Sequence, residues 1–324
     1  VRGLHIYIAL AVAVLSLVSA RTLNAYWMHV AIIAMFYGIL ASSWSLLAGY
    51  AGLFSLGHMA FASLGGYTSA LLVQWYHIPI PLGMAAGVAL CTVAGGLIGW
   101  VCLRMSGPYL AIFTLGFSEI VRIVLSTEDQ VTAGMAGLHT APLFRAPTDL
   151  PYYYTAFGLL LFALAVLILI TRSRWGLFLR ALREDEQAAA ACGVAVARFR
   201  ILAFAIASGL AALAGGFYAH YIGILTPSLG SLDLMAVVVV MAVIGGMERI
   251  PTAVGGAFGI EVLQETLRAY GQWRLVLFGI ILLLTMRFAR NGLLTPLWRL
   301  LTGIGEARRP APAPRGIGPE GSRP

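Results

Sequence analysis

Side chains able to do chemistry are few in this sequence and badly spaced for it. Its six histidines are His5, His29, His58, His77, His139 and His220. No two stand three or four residues apart, so no helical metal pair of the zinc-peptidase type forms and no metal site is assigned. No Gly-x-Ser-x-Gly elbow is present to raise a nucleophilic serine. Cys91 and Cys102 lie in one apolar run and Cys192 in an arginine-rich stretch, so no structural disulfide is expected. All 21 basic residues are arginine. A chain without lysine cannot build a P-loop, so any ATP that drives its work must be hydrolysed on another chain. No catalytic residue and no cofactor is assigned to this one.

The ionisable residues inside apolar stretches are the next candidates, because charge is costly in lipid and tends to mark function there. They are Glu119 with Arg122, then Asp233, Glu261 and Glu265. Glu119 and Arg122 stand three apart on one helix face, either as a mutually neutralising pair or as a polar patch on a solute route. A proton-driven carrier would string more carboxylates or histidines along its path. The stretch GYAGLFSLGHMAFASLGG mixes glycines with Ser55 and Ser63 around His58. That glycine density predicts a broken or closely packed segment beside a cavity, with the bland alternative that His58 is a bonded structural residue. Gly107-Pro108 opens a helix whose inner face offers Thr114, Gly116 and Ser118. Ser55, His58, Thr114 and Glu119 are the expected pathway residues.

The elements that must carry these residues are membrane spans. Sixty per cent of the 324 residues are hydrophobic and only 10% are charged, against about 25% in a soluble domain. A net charge of +8 in such a chain reflects arginine gathered on one membrane face rather than nucleic-acid binding. The expected fold is all-α and polytopic, with about ten transmembrane helices: 4–20, 27–47, 52–75, 81–103, 108–126, 152–171, 201–222, 233–247, 252–268 and 274–290. The weakest are 108–126 and 252–268, which carry charge, and 233–247, which is short. The transmembrane domain runs over 1–302. Beyond it, 303–324 is rich in proline, glycine and arginine and is expected to be a disordered cytoplasmic tail.

Between the sixth and seventh spans lies the most charged interior segment, 172–200, with six arginines around Glu184, Asp185 and Glu186. This island and the arginine-rich tail should both be cytoplasmic, and the four spans between them satisfy that demand. Both termini then face the cytoplasm. Arg21, Arg122, Arg145, Arg268 and Arg274 alone fall away from that side. Spans two to five and seven to ten enter from opposite sides, the layout of an inverted repeat, with Gly52-Leu53 and Gly209-Leu210 in loosely similar places. Within the island a helix is expected from about Gly176 to Cys192, with Arg180 and Glu184, and Arg183 and Gln187, four apart, and Gly193 as its stop. Amphipathicity alone leaves two roles open: docking into a partner's groove, or lying on the protein's own cytoplasmic face.

Five stretches together resemble one family: GYAGLFSLGHMAF (49–61), RMSGPYLAIFTLGFSEIVR (104–122), TAGMAGL (132–138), RWGLFLRALREDEQAAAACGV (174–194) and VIGGM (243–247). They are similar, in order, to the permease subunits of high-affinity branched-chain amino-acid ABC importers, the LivM type. The resemblance implies an inner-membrane heterodimer with a second, related permease, two cytoplasmic ATPase subunits that bind ATP and Mg, and an extracytoplasmic solute-binding protein. It implies alternating access as the mechanism. It also implies that the island contacts an ATPase: Glu186, Ala188, Ala189 and Gly193 match an E-x-A-A-x-x-x-G spacing, flanked by Arg180, Arg183 and Glu184. Relatives also serve urea and short amides. Two places depart from the family's pattern: Glu248-Arg249-Ile250-Pro251 follows VIGGM, and TAGMAGL stands where a double glycine is usual. A stand-alone secondary transporter or channel is the alternative from another class. Membrane lipid is a further expected partner, and nucleic acid is not.

Overall fold

Apolar runs in this chain fold as helices because lipid offers nothing to hydrogen-bond, so each segment must satisfy its own backbone. The computed structural model describes residues 24–105, 107–145, 148–268 and 279–280. The expected span 4–20, nearly all of 274–290 and the tail 303–324 lie outside the described residues.

Helix α1 (Ala25–Ser45) continues as a π-helical turn, Leu46–Tyr50. After an irregular stretch come α2 (His58–Tyr76), α3 (Ile80–Val101) and α4 (Pro108–Thr127). The short α5 (Asp129–Thr132) and strand β1 (Leu138–His139) follow, then α6 (Leu150–Arg172). The island folds as α7 (Arg174–Glu184) and α8 (Glu186–Ala191). Next are α9 (Val196–Ile222), strand β2 (Ile224–Leu225), α10 (Leu232–Gly245) and α11 (Ile250–Leu267). The two strands pair antiparallel, Leu138 with Leu225 and His139 with Ile224.

Every regular element among the described residues, apart from that strand pair, is helical. Among the described residues, Ala25–Tyr50, α3, α4, α6 and α9 are long and apolar enough to cross a membrane. The 14 residues of α10 rise only about 21 Å, short of a ~30 Å hydrocarbon core. The span expected at 108–126 is therefore a full helix despite its charges, whereas 233–247 falls short. The span expected at 52–75 begins later, at His58, because 51–57 is not helical.

Helix α9 is the central post, packed along α2 and α3. The contact is close because glycines clear the way: a β-carbon on Gly65 would overlap Ala212, and one on Gly215 would overlap the Ala62 carbonyl. Small residues allow that approach where no hydrophobic effect drives helices together. Helices α1 and α9 run antiparallel, since His29 Nδ1 lies 2.6 Å from the Tyr221 hydroxyl. That is the relation expected of blocks entering from opposite sides. The specific correspondence of Gly52-Leu53 with Gly209-Leu210 does not hold: the first pair lies in irregular backbone and the second inside α9.

Two ends of the bundle are distinguished by contacts. Hydrogen bonds from the island reach Gly49, Leu103 and Glu248, so those positions share its end. At the opposite end, Tyr26 donates to Glu265, and Thr140 N donates to the Gly223 carbonyl at 2.9 Å beside the strand pair.

Candidate functional site

The sequence GYAGLFSLG breaks the first described helix and turns the chain back into the bundle. Within the π turn, Ala51 N reaches the Leu46 carbonyl at 3.2 Å, and Leu53 N reaches Leu47 at 2.9 Å. Backbone beyond that point has no helical ladder, and at membrane depth each amide still needs a partner. Side chains supply them. Leu56 N donates to Thr114 Oγ1 at 2.9 Å, Gly57 N donates to Ser55 Oγ at 3.3 Å, and Trp44 Nε1 donates to the Ser55 carbonyl at 2.7 Å. The Thr114 hydroxyl in turn donates to Leu110 O on its own helix, so its capacity is well used. Burial alternates along the stretch: Leu53, Ser55 and Gly57 face inward while Gly52 and Phe54 are exposed. Phe54 packs edge-on against Trp44, ring centroids 5.3 Å apart.

Ser55, Thr114 and the start of α2 are thus brought together. His58, the first residue of α2, is fully buried, and neither ring nitrogen has a hydrogen-bond partner among the described residues. An unmet buried polar group costs about 1–3 kcal/mol. The contrast is with His220, equally buried, whose Nδ1 lies 2.7 Å from the Ala141 carbonyl and Nε2 2.8 Å from Ser69 Oγ. A carbonyl only accepts, so Nδ1 carries the proton and Nε2 accepts from serine. His220 is the bonded structural histidine; His58 is not bonded in that way.

Glu119 is apart from this group. It pairs with Arg122, Nε to Oε2 3.0 Å, on a partly exposed flank of α4, while Thr114 and Ser118 occupy the buried face. A second non-α-helical stretch, a 3-10 turn, meets α4 there. The turn Pro227–Gly230 reaches inward so far that a β-carbon on Gly230 would lie 3.2 Å from Ser63 Oγ and 3.8 Å from Arg122 Cβ. Non-α-helical backbone therefore approaches α4 at Thr114 from the island end and at Arg122 from the other. Two helical turns, about 12 Å, separate those contacts. An open cleft of about 530 Å³ between the end of α2 and β1, lined by Gln74, His77, His139 and Thr140, contains none of the expected pathway residues.

The island departs from the single helix expected over 176–192. It breaks at Asp185, whose extended backbone (φ −158) ends α7 and whose carboxylate caps α8 by accepting from Gln187 N and Ala188 N at 2.9 and 3.0 Å. Arg183 and Gln187 are consequently on different helices. Arg183 turns to the bundle, donating to the Gly49 carbonyl at 2.6 Å and to Glu248 at 2.7 Å. Arg180 lies 5.0 Å over the Tyr50 ring, a cation–π contact. Glu186 binds Arg200 at 3.1 Å, and Arg200 also donates to the Leu103 carbonyl at 2.8 Å. Ala189 is buried. Ala188, Glu184 and Gly193 are exposed, with Gly193 at φ +83, the left-handed stop that glycine favours. Of the E-x-A-A-x-x-x-G set, two residues hold the island together and two remain on its surface.

The VIGGM run folds the α10–α11 hairpin. A β-carbon on Gly245 would strike the Thr252 carbonyl, so the two helices cross at backbone contact. Thr252 Oγ1 ties the turn to the carbonyls of Gly246 at 3.1 Å and Arg249 at 2.7 Å. The departing residues Glu248–Pro251 form this turn, with Pro251 in the first turn of α11.

Residues 26–286 match the family described as branched-chain amino acid transport system / permease component. The high-affinity branched-chain amino acid transport system permease protein LivM of Escherichia coli K12 is 30% identical over 315 residues, covering 89% of this chain and 73% of that one. LivH from the same strain is 25% identical, covering 72% and 82%. The fructose import permease protein FrcC of Rhizobium meliloti is 26% identical, covering 83% and 77%. No solved structure matches. Family match, a 30% likeness to LivM over most of the chain and a bundle of apolar helices agree: this chain belongs to the branched-chain amino acid transport permease family, as a multi-pass membrane subunit.

Proposed function

We propose that this chain is the membrane-crossing subunit of an ATP-driven importer in the inner membrane, carrying branched-chain or related amino acids by alternating access. A second permease related to LivH completes the pathway, two ATPase subunits bind ATP and Mg, and an extracytoplasmic protein delivers the solute. The observation that carries the reading is the irregular stretch 51–57, held on α4 by the Leu56–Thr114 hydrogen bond. Backbone of that kind is tolerated at membrane depth where it is buried in protein or lines a water-filled path. Ser55, His58 and Thr114 are the wall of that path, and the Glu119–Arg122 pair is a polar patch farther along it. The exposed face of α8 with Glu184, Ala188 and Gly193 is the ATPase contact, so both termini face the cytoplasm.

The test is uptake into proteoliposomes by the complete complex. Branched-chain amino acids, urea, short amides and fructose are each offered with the delivering protein present. ATP-dependent accumulation of a branched-chain amino acid is expected. Flux through this chain alone, driven by an ion gradient without ATPase subunits, would overturn the reading in favour of a secondary transporter or channel.

A further inference from the structure

Three segments far apart in sequence meet at one side chain. Arg183, near the end of α7, sends Nη1 to the Gly49 carbonyl at 2.6 Å and Nη2 to Glu248 at 2.7 Å. Gly49 belongs to the π turn that ends α1, and Glu248 to the turn between α10 and α11. The approach leaves no spare room. A β-carbon on Gly49 would overlap the Met247 backbone, and one on Gly52 would lie 3.3 Å from the Arg183 α- and β-carbons. Gly52 also takes φ +70, so the chain enters its irregular stretch directly beneath Arg183.

The chemistry suits arginine. Carbonyls at the end of a helix lack intrahelical donors and carry its partial negative charge, which favours a cation there. A guanidinium offers donors in two fixed directions at once; an ammonium is a single point charge. Glu248 is 71% exposed, so its ion pair alone would hold little. The carbonyl contact anchors the fork and Glu248 sets its direction. Glu248, first of the four residues Glu248–Pro251 in this turn, thereby has its partner.

We propose that Arg183 is a positioning residue: a strut through which α7 moves the end of α1, the irregular stretch 51–57 and the α10–α11 turn as one body. Its consequence for uptake rests on the importer reading above; its mechanical content does not.

The complete complex is assayed for solute taken up per ATP hydrolysed, with Cys192, the exposed cysteine, replaced by serine. In R183A that ratio should fall about fivefold or more, and R183K should fall between R183A and the parent. A R183C/E248C variant should be as impaired as R183A until a bismaleimide joins the two thiols, which should restore the ratio. An unchanged ratio in R183A, or a joined variant no better than the unjoined one, overturns the proposal. Hydrogen exchange on the permease alone separates the two ideas. Amides of 46–57 should exchange faster in R183A, and an unchanged pattern overturns the strut whatever the uptake assay gives. A parent complex without ATP-driven uptake overturns the importer reading while the exchange result still decides the strut.

Discussion

The backbone amide of Leu56 donates to the side-chain hydroxyl of Thr114, so a residue of α4 completes the hydrogen bonding of a segment 58 positions away. Valine has the shape of threonine without the acceptor. Thr114→Val should therefore leave a buried amide unmet and cost about 1–3 kcal/mol of stability, whereas Thr114→Ser should cost less than 1 kcal/mol or so on the same argument. Thermal unfolding in detergent checks both, and equal melting of the two variants would show that the bond contributes nothing.

Glu119 and Arg122 neutralise each other on α4. Glu119→Gln leaves the arginine without its counter-charge in a span, where an unpaired charge is disfavoured. Less protein should reach the membrane. The exchange E119R/R122E keeps the pair and should restore the amount inserted while changing the solute concentration for half-maximal uptake. Immunoblots of membrane fractions beside uptake curves separate these outcomes; an exchange variant with parental uptake would take the pair off the route.

The island contains two kinds of position that substitution should tell apart. Ala188 is exposed and its methyl group takes no part in the Asp185 cap, which uses only its backbone amide, so Ala188→Trp should block ATPase binding while the melting temperature stays within a degree or two. Glu186→Arg removes the partner of Arg200, whose side chain is 9% exposed, and should destabilise the permease by about 3 kcal/mol as well. Pull-down of the ATPase and a melting curve are read side by side. Parental ATPase binding by the tryptophan variant would move the contact elsewhere.

At the other end, Ser69 donates to His220, whose second nitrogen holds the Ala141 carbonyl. Ser69→Ala leaves that ring nitrogen without its donor and should lower stability by about 1–3 kcal/mol. Limited proteolysis of the connection 133–149 should speed up in step. Proteolysis at the parental rate would show that the histidine does not hold the connection down.

Helices were legible in the sequence wherever lipid leaves the backbone one solution, and their ends wherever a residue type dictates them: Gly107-Pro108 opens α4 and Gly193 stops α8. The break at 51–57 was only half legible. Its glycines announced irregularity, but GYAGLFSLG is as apolar as a helix, and the residue that satisfies its Leu56 amide, Thr114, lies 58 positions away. Asp185 read as one more charge in a cluster, because capping depends on backbone angle rather than composition. Arg183 was assigned a helical neighbour four residues on; its partners lie 134 and 65 positions away. Ser55 and Thr114 do lie on either side of the Leu56 amide, a neighbourhood that their polarity suggested and their spacing in sequence did not. Glu119 was grouped with them by being polar, and the turn of the helix carries it to another face.

Glycine contacts also divide the bundle mechanically. Gly65 and Gly215 lock α2 to α9, Gly245 locks α10 to α11, and Gly49 locks α1 to the hairpin turn, each at backbone contact. Parts meshed that closely cannot slide past one another without first separating. By contrast, Gly116 on α4 and Gly158 on α6 meet nothing within 4 Å. Any rearrangement of the bundle would therefore carry each meshed pair as one block, and α4 and α6 are helices whose glycines set no such lock.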